Sequence, residues 1–191
     1  MRNIFEERLL RTAKQIVGSH DRDLFAENIE SRMYESNKID TPYLDKGRTT
    51  VSIQEEVISF HNAPPGISFT PGQTMEVAYF QVPIVGDLEL FAALVANQFY
   101  NRQVKYVDGR TLYYREYSTK LITGNTEVID SIKQRAKREI DNIQAALDEF
   151  KKTADEFNEG DLKQTISNYV SKERERRSKK SNSENQLNPF G

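Results

Sequence analysis

Residues 126–157 read TEVIDSIKQRAKREIDNIQAALDEFKKTADEF. Within them Val128, Ile132, Ala136, Ile140, Ile143, Leu147, Phe150, Ala154 and Phe157 recur at steps of three and four, the spacing that gathers side chains on one face of an α-helix. Thr126 followed by Glu127 and Asp130 makes a start that suits the helix dipole. The other faces carry Lys133, Arg135, Lys137, Arg138, Glu139 and Asp141, and then Asp148, Glu149, Lys151 and Lys152, mixed in sign and suited to water. At about 1.5 Å per residue such a helix runs about 45 Å. That exceeds what a compact domain needs, so its apolar stripe must find a cover.

The residues just beyond the stripe decide between two covers. Asn158-Glu159-Gly160-Asp161 places a glycine suited to a helix C-terminus directly before an aspartate suited to an N-cap, which predicts a turn into an antiparallel partner helix bearing Leu162, Ile166, Tyr169 and Val170. The alternative is one continuous helix that tolerates Gly160 at a cost of about 1 kcal/mol and projects as a coiled coil. On either reading Ile140, Ile143, Leu147, Phe150, Phe157, Leu162 and Ile166 are the candidate interface for a second copy or a protein partner. Beyond Val170 the apolar pattern stops. Lys172, Arg174, Arg176, Arg177, Lys179 and Lys180 face only Glu173 and Glu175 in this stretch, so 171–191 reads as a basic, disordered tail, and these six cations are the candidate nucleic-acid contacts.

Working toward the N-terminus, the pattern changes from helical to extended. Val104 to Tyr114 sets Asp108-Gly109 between two runs of β-branched and aromatic residues, a hairpin with a tight type I′ turn. Tyr106, Tyr113, Tyr114 and Tyr117 cluster there. They pair across strands on a half-exposed sheet, and the other reading of them is a stacking surface for single-stranded nucleic acid. Met75, Val77 and Tyr79 alternate before Phe80 and Val82 face the other way, a strand ended by Pro83. Thr49 to Phe60 is a further strand whose apolar parity switches near Glu55-Glu56, which predicts a bulge or a short break. Turns are marked at 63–66 and 70–72. The opening residues Phe5, Leu9, Ala13, Ile16 and Val17, and then Leu24, Phe25, Ile29 and Met33, predict two amphipathic helices packed against the sheet. The fold class is therefore α+β: N-terminal helices on a small antiparallel sheet, then a long helical hairpin or coiled coil. The expected domains are 1–125, 126–170 and 171–191.

Composition excludes much chemistry. The 191 residues hold no Cys and two His, and 27 Lys+Arg against 29 Asp+Glu leave a net charge of −2. Disulfides, zinc knuckles and thiol nucleophiles are ruled out, and bulk charge does not recruit nucleic acid. His20 and His61 have no second His at ligand spacing, no serine sits in a nucleophile elbow, and the glycines form no phosphate cradle. No cofactor is implied. Glu55, Glu56 and Asp87 are the remaining candidates for a small metal-dependent hydrolase. The N-terminus is charged and no apolar run approaches the roughly 18–20 residues that span a bilayer, so no membrane partner is expected and the cytoplasm is the expected location.

One combination is more specific than its parts. Val82-Pro83-Ile84-Val85-Gly86-Asp87-Leu88-Glu89-Leu90-Phe91, a short strand pair, a helix with Lys137-Arg138-Glu139-Ile140-Asp141-Asn142-Ile143, Phe157-Asn158 and Lys172-Glu173-Arg174 together resemble the N-terminal module of a group of largely uncharacterised bacterial proteins. The similarity covers about residues 80–180. In that group the module commonly precedes a restriction-endonuclease-like domain with an E-x-K strand, a motif not seen on a strand here. The resemblance implies a non-catalytic partner or sensor module, not an enzyme, within a defence system against foreign DNA, and lends no catalytic residue to this chain. Three functions are thus expected in order: a binding or regulatory module that assembles with itself or an effector, a nucleic-acid-binding accessory protein, and a metal-dependent hydrolase.

Overall fold

A computed structural model describes residues 4–64, 66–99 and 104–188; Pro65, within one of the expected turns, lies outside them. The chain opens with helices α1 (Ile4–Val17), α2 (Asp21–Leu24) and α3 (Ile29–Asn37). Strands β1 (Tyr43–Leu44), β2 (Thr50–Val57) and β3 (Thr74–Val85), helix α4 (Leu88–Val95) and strands β4 (Lys105–Asp108) and β5 (Thr111–Tyr117) come next. Helix α5 (Thr126–Phe157), one turn of π-helix (Asn158–Leu162) and helix α6 (Lys163–Leu187) then form a continuous helical run of 62 residues. The chain divides into two compact units, residues 40–151 and residues 1–39 with 152–191. That division differs from the expected boundaries at 125 and 170.

Residues 40–151 form a two-layer α+β unit. The sheet is antiparallel: β1, β2 and β5 all pair with β3, and β4 pairs with β5. Because side chains alternate along a strand, the register sorts the faces. Val51, Ile53, Ala78, Phe80, Val82, Ile84, Leu112 and Tyr114 share one face, and α5 lies over it. Ile140, Ile143 and Leu147 of α5 are buried with Val82, Ile84, Leu112, Phe91 and Val95. The opposite face packs Met75, Val77 and Tyr117 under Ile58, Ile67 and Phe69 of the β2–β3 connection.

Three local expectations need correction. The β2–β3 register runs unbroken from Thr50↔Gln81 to Val57↔Thr74, with no bulge at Glu55-Glu56. The apparent parity switch arises because Ile58, one residue beyond β2, belongs to the other face, where the connection buries it. Pro83 does not end β3, since β2 pairing stops at Gln81 and β1 pairing starts at Ile84, so the missing N–H falls where no partner strand needs it. In the β4–β5 hairpin the two loop residues are Gly109 and Arg110, and only Gly109 has positive φ (55°). A type I′ turn needs positive φ at both, so the turn has the II′ pattern with glycine first.

The second unit is helical. α1 and α3 both pack along α6, burying Ala13, Ile16, Ile29 and Met33 together with Ile166 and Val170. The N-terminal helices therefore find their cover in α6, not in the sheet as expected. Nor does the chain turn back at Gly160. Asn158 Oδ1 accepts the Ile39 N–H (2.9 Å) and its Nδ2 donates to the Ile39 carbonyl (3.0 Å), all buried, so a side chain fixes the wider turn and the helix continues. The expected tail is helical as far as Leu187.

Candidate functional site

Residues 82–91 and 137–143 have structural roles. Gly86 adopts φ 101°, and a Cβ there would lie 2.9 Å from the Pro42 Cα, so the exit from β3 beside β1 needs glycine. Asp87 Oδ1 accepts from the Glu89 and Leu90 N–H groups (2.9 and 3.1 Å) and caps α4. Phe91 is fully buried. On α5, Glu139 pairs with the nearly buried Lys105 (3.0 Å), while four residues earlier Arg135 donates to Glu116 (2.9 Å), whose other oxygen accepts the Tyr114 hydroxyl. Burial, and then the Glu116 carboxylate, push the Tyr114 phenol upward in pKa. This charged ladder fixes the helix register on the sheet and is satisfied internally.

The basic segment is largely spent on helix ends. Arg174 donates to the carbonyls of Leu24 and Ala26 (2.8 and 2.9 Å), and Arg177 to that of Val17 (3.0 Å). Leu24 and Val17 close α2 and α1, where terminal carbonyls lack partners within their helices and welcome a cation; Ala26 lies just past α2, and its carbonyl also accepts from the Ile29 N–H (3.3 Å). Arg177 also pairs with Asp21 and Glu173, and Arg176 with Glu173 (2.6 Å). The Arg176 guanidinium first, and Arg177 after it, hold the Glu173 carboxyl down at about 2 although burial opposes this. Lys172, Lys179 and Lys180 stay exposed, the last two with Glu175 (2.6 Å) and Glu184 (3.6 Å) one turn away. The six cations thus do not form one free basic face.

The apolar stripe is likewise occupied within the chain. Ile140, Ile143 and Leu147 sit in the sheet unit's core, and Phe157, Leu162 and Ile166 are buried in the helical unit, Phe157 against Phe5 at 4.9 Å. Phe150 is half-buried. As an oligomer interface this set is corrected: its cover is the chain's own sheet and N-terminal helices.

The hydrolase candidates diverge. Consecutive strand residues face opposite ways, so Glu55 points to the α5 side while Glu56 meets Tyr79, Tyr117 and Arg115 on the other. Asp87 is committed to its cap. Among the described residues no group of His, Asp or Glu is arranged to hold a metal ion. Tyr106 and Tyr113 are direct cross-strand partners, stacked at 4.8 Å and 3°, and the Arg115 guanidinium lies 5.1 Å from the Tyr106 ring and 5.6 Å from that of Tyr79. Their mutual contacts account for the cluster.

One apolar surface of the sheet unit stands open. Among the described residues β2 pairs only with β3, and α5 leaves the β2 end of its sheet face uncovered. Val51 is 56% exposed and Ile53 44%. With Ala78 and Phe80 they floor a groove of about 600 Å³. Ile129, Ile132, Ala136 and Ile140 form its wall, and Lys46, Lys133, Lys137 and Asp141 its rim. Asp141 pairs with Lys137 (2.5 Å) and Lys46 (2.8 Å), and those two lysines, in that order, hold its carboxyl at about 2. Sequence reading missed the groove because Val51 and Ile53 look like any inward strand face. The available signal was that one long helix cannot cover a sheet face whose outermost strand is also apolar.

The chain is thus an α+β protein whose open feature is an apolar groove. Compared with known protein families, curated proteins and solved structures, it matches none. Among the described residues no helix is long and apolar enough to cross a membrane.

Proposed function

We propose that the protein is a non-catalytic docking module that recruits a partner protein through the groove between β2 and α5. The carrying observation is the apolar floor left open on the edge strand, with Val51 and Ile53 on the same face and exposed. An exposed apolar patch bordered by charge is a mark of interaction surfaces. Similarity of residues 80–180 to modules found ahead of restriction-endonuclease-like domains supports an effector enzyme as the partner, and defence against foreign DNA as the setting.

The test presents a random peptide library to the immobilised chain and, in parallel, to Ile53→Asp. Ile53 is 44% exposed on an edge strand, so the variant should still fold, at a cost of about 1–2 kcal/mol, as its thermal melt would verify. Peptides retained by the parent and lost by the variant are the expected outcome. A library that shows no difference between the two chains refutes the reading.

A further inference from the structure

The groove's dimensions and charge specify its occupant. Its wall is one side of α5 from Ile129 to Ile140, eleven rises of about 1.5 Å, hence about 17 Å or three helical turns. A volume of about 600 Å³ along that length accepts one row of large side chains, as one face of a helix presents at i, i+3, i+4 and i+7. Val51, Ile53 and Ile129 supply the exposed apolar surface that such side chains would cover. A helix seated there would lie beside α5 on the same sheet face, completing the helical layer that one long helix leaves unfinished.

The rim then selects by charge. Among the lining residues three lysines stand against one carboxylate, which Lys46 and Lys137 already share, Lys133 has no ion pair among the described residues, and Glu55, two residues beyond Ile53 on the same face, leaves the surplus positive. Carboxylates on the flank of an incoming helix would meet this surplus, while a basic segment would be repelled. From the floor, the wall length and the rim charge together, we infer that the occupant is an acidic amphipathic helix of about three turns, carried by the partner protein. This rests on the docking-module reading above and makes it specific.

The same peptide selection tests it, read now for composition. Enriched sequences should place apolar residues at three- and four-residue steps with Asp or Glu flanking them. A synthetic representative should bind the full chain, lose at least tenfold in affinity against Lys133→Glu/Lys137→Glu, and weaken as salt is raised. Replacing the peptide's Glu by Gln should remove the sensitivity to that double variant. Enriched peptides with strict alternation, which would pair with β2 as an added strand, overturn the helical occupant but leave the docking reading intact, as does enrichment indifferent to charge. An Ile53-dependent dimer in solution, with no peptide selected, overturns the inference in favour of a second copy. Absence of any Ile53-dependent binding, peptide or dimer, removes both.

Discussion

Replacing Gly160 by Ala should stabilise the protein. Gly160 lies in the π turn that joins α5 to α6, its φ is not positive, and a Cβ built on it meets nothing within 4 Å. The new methyl thus strains nothing in the folded chain, while the unfolded chain loses the extra freedom of glycine. Within a helix that exchange is worth about 0.5–1 kcal/mol. For a chain of this size it raises the melting temperature by about 1–4 °C. The opposite sign is expected if the helix ended at Gly160 in a hairpin, because the glycine would then occupy the left-handed region, where alanine costs about 1–2 kcal/mol. Gly124 is the matched control: it too has open space around it, but its φ is 76°, so Gly124→Ala should lower the melt. Thermal unfolding monitored by circular dichroism on the parent and both variants reads the signs directly. A fall for Gly160→Ala, in the same direction as the control, would refute the continuous helix.

Asn158→Ala should cost about 2–4 kcal/mol, since it strands the buried N–H and carbonyl of Ile39 together; urea denaturation measures it, and a loss below about 1 kcal/mol would mean that water replaces the clamp. Arg174→Ala removes a charged donor from the Leu24 and Ala26 carbonyls and should cost about 1.5–3 kcal/mol, while leaving any DNA affinity unchanged in a salt-series binding assay. Glu173 has a folded pKa of about 2 against an ordinary 4.5, so its contribution is fully present above about pH 4.5 and is lost as pH falls toward 2. Glu173→Gln should therefore flatten the acid limb of stability against pH relative to the parent, and an unchanged limb would contradict the pairing. Leu147→Ala, at a fully buried core position, should cost about 2–5 kcal/mol by calorimetry, whereas an exposed interface residue would cost almost nothing.

How much of the fold is legible in the sequence depends on whether a residue's local pattern or its distant partner sets its role. The α5 stripe is readable to the residue because helical periodicity is local, and the β4–β5 hairpin because a glycine between β-rich runs is local. The end of the long helix is not, since Gly160 and Asp161 have the chemistry of a stop, and only a contact 119 residues away, Asn158 to Ile39, overrides it. The cover of the stripe is illegible for the same reason: periodicity states that a face must be buried but not by what. Glu55-Glu56 misleads because the two faces of β2 differ: the side toward α5 stays open at Val51 and Ile53, while Ile58, just past the strand, is buried on the other side under the β2–β3 connection.

The candidate site shows the same division in sharper form. Arg174 and Arg177 read as part of a basic run, yet both donate to carbonyls at or just beyond helix C-termini, and Arg177 is also ion-paired with Asp21 and Glu173. Ile140 and Leu147 read as part of an unpartnered stripe, yet the sheet takes them. Recognition surfaces are made from what folding leaves over. In this chain the outer strand's Val51 and Ile53 beside Lys133 are part of that remainder, residues whose own patterns are ordinary. Their significance comes from position alone: α5 takes the register that the Arg135–Glu116 and Glu139–Lys105 pairs impose, and that register holds it over β3 and β5, one strand short of the sheet's edge. The ladder that orders the core is thus also what keeps the groove open.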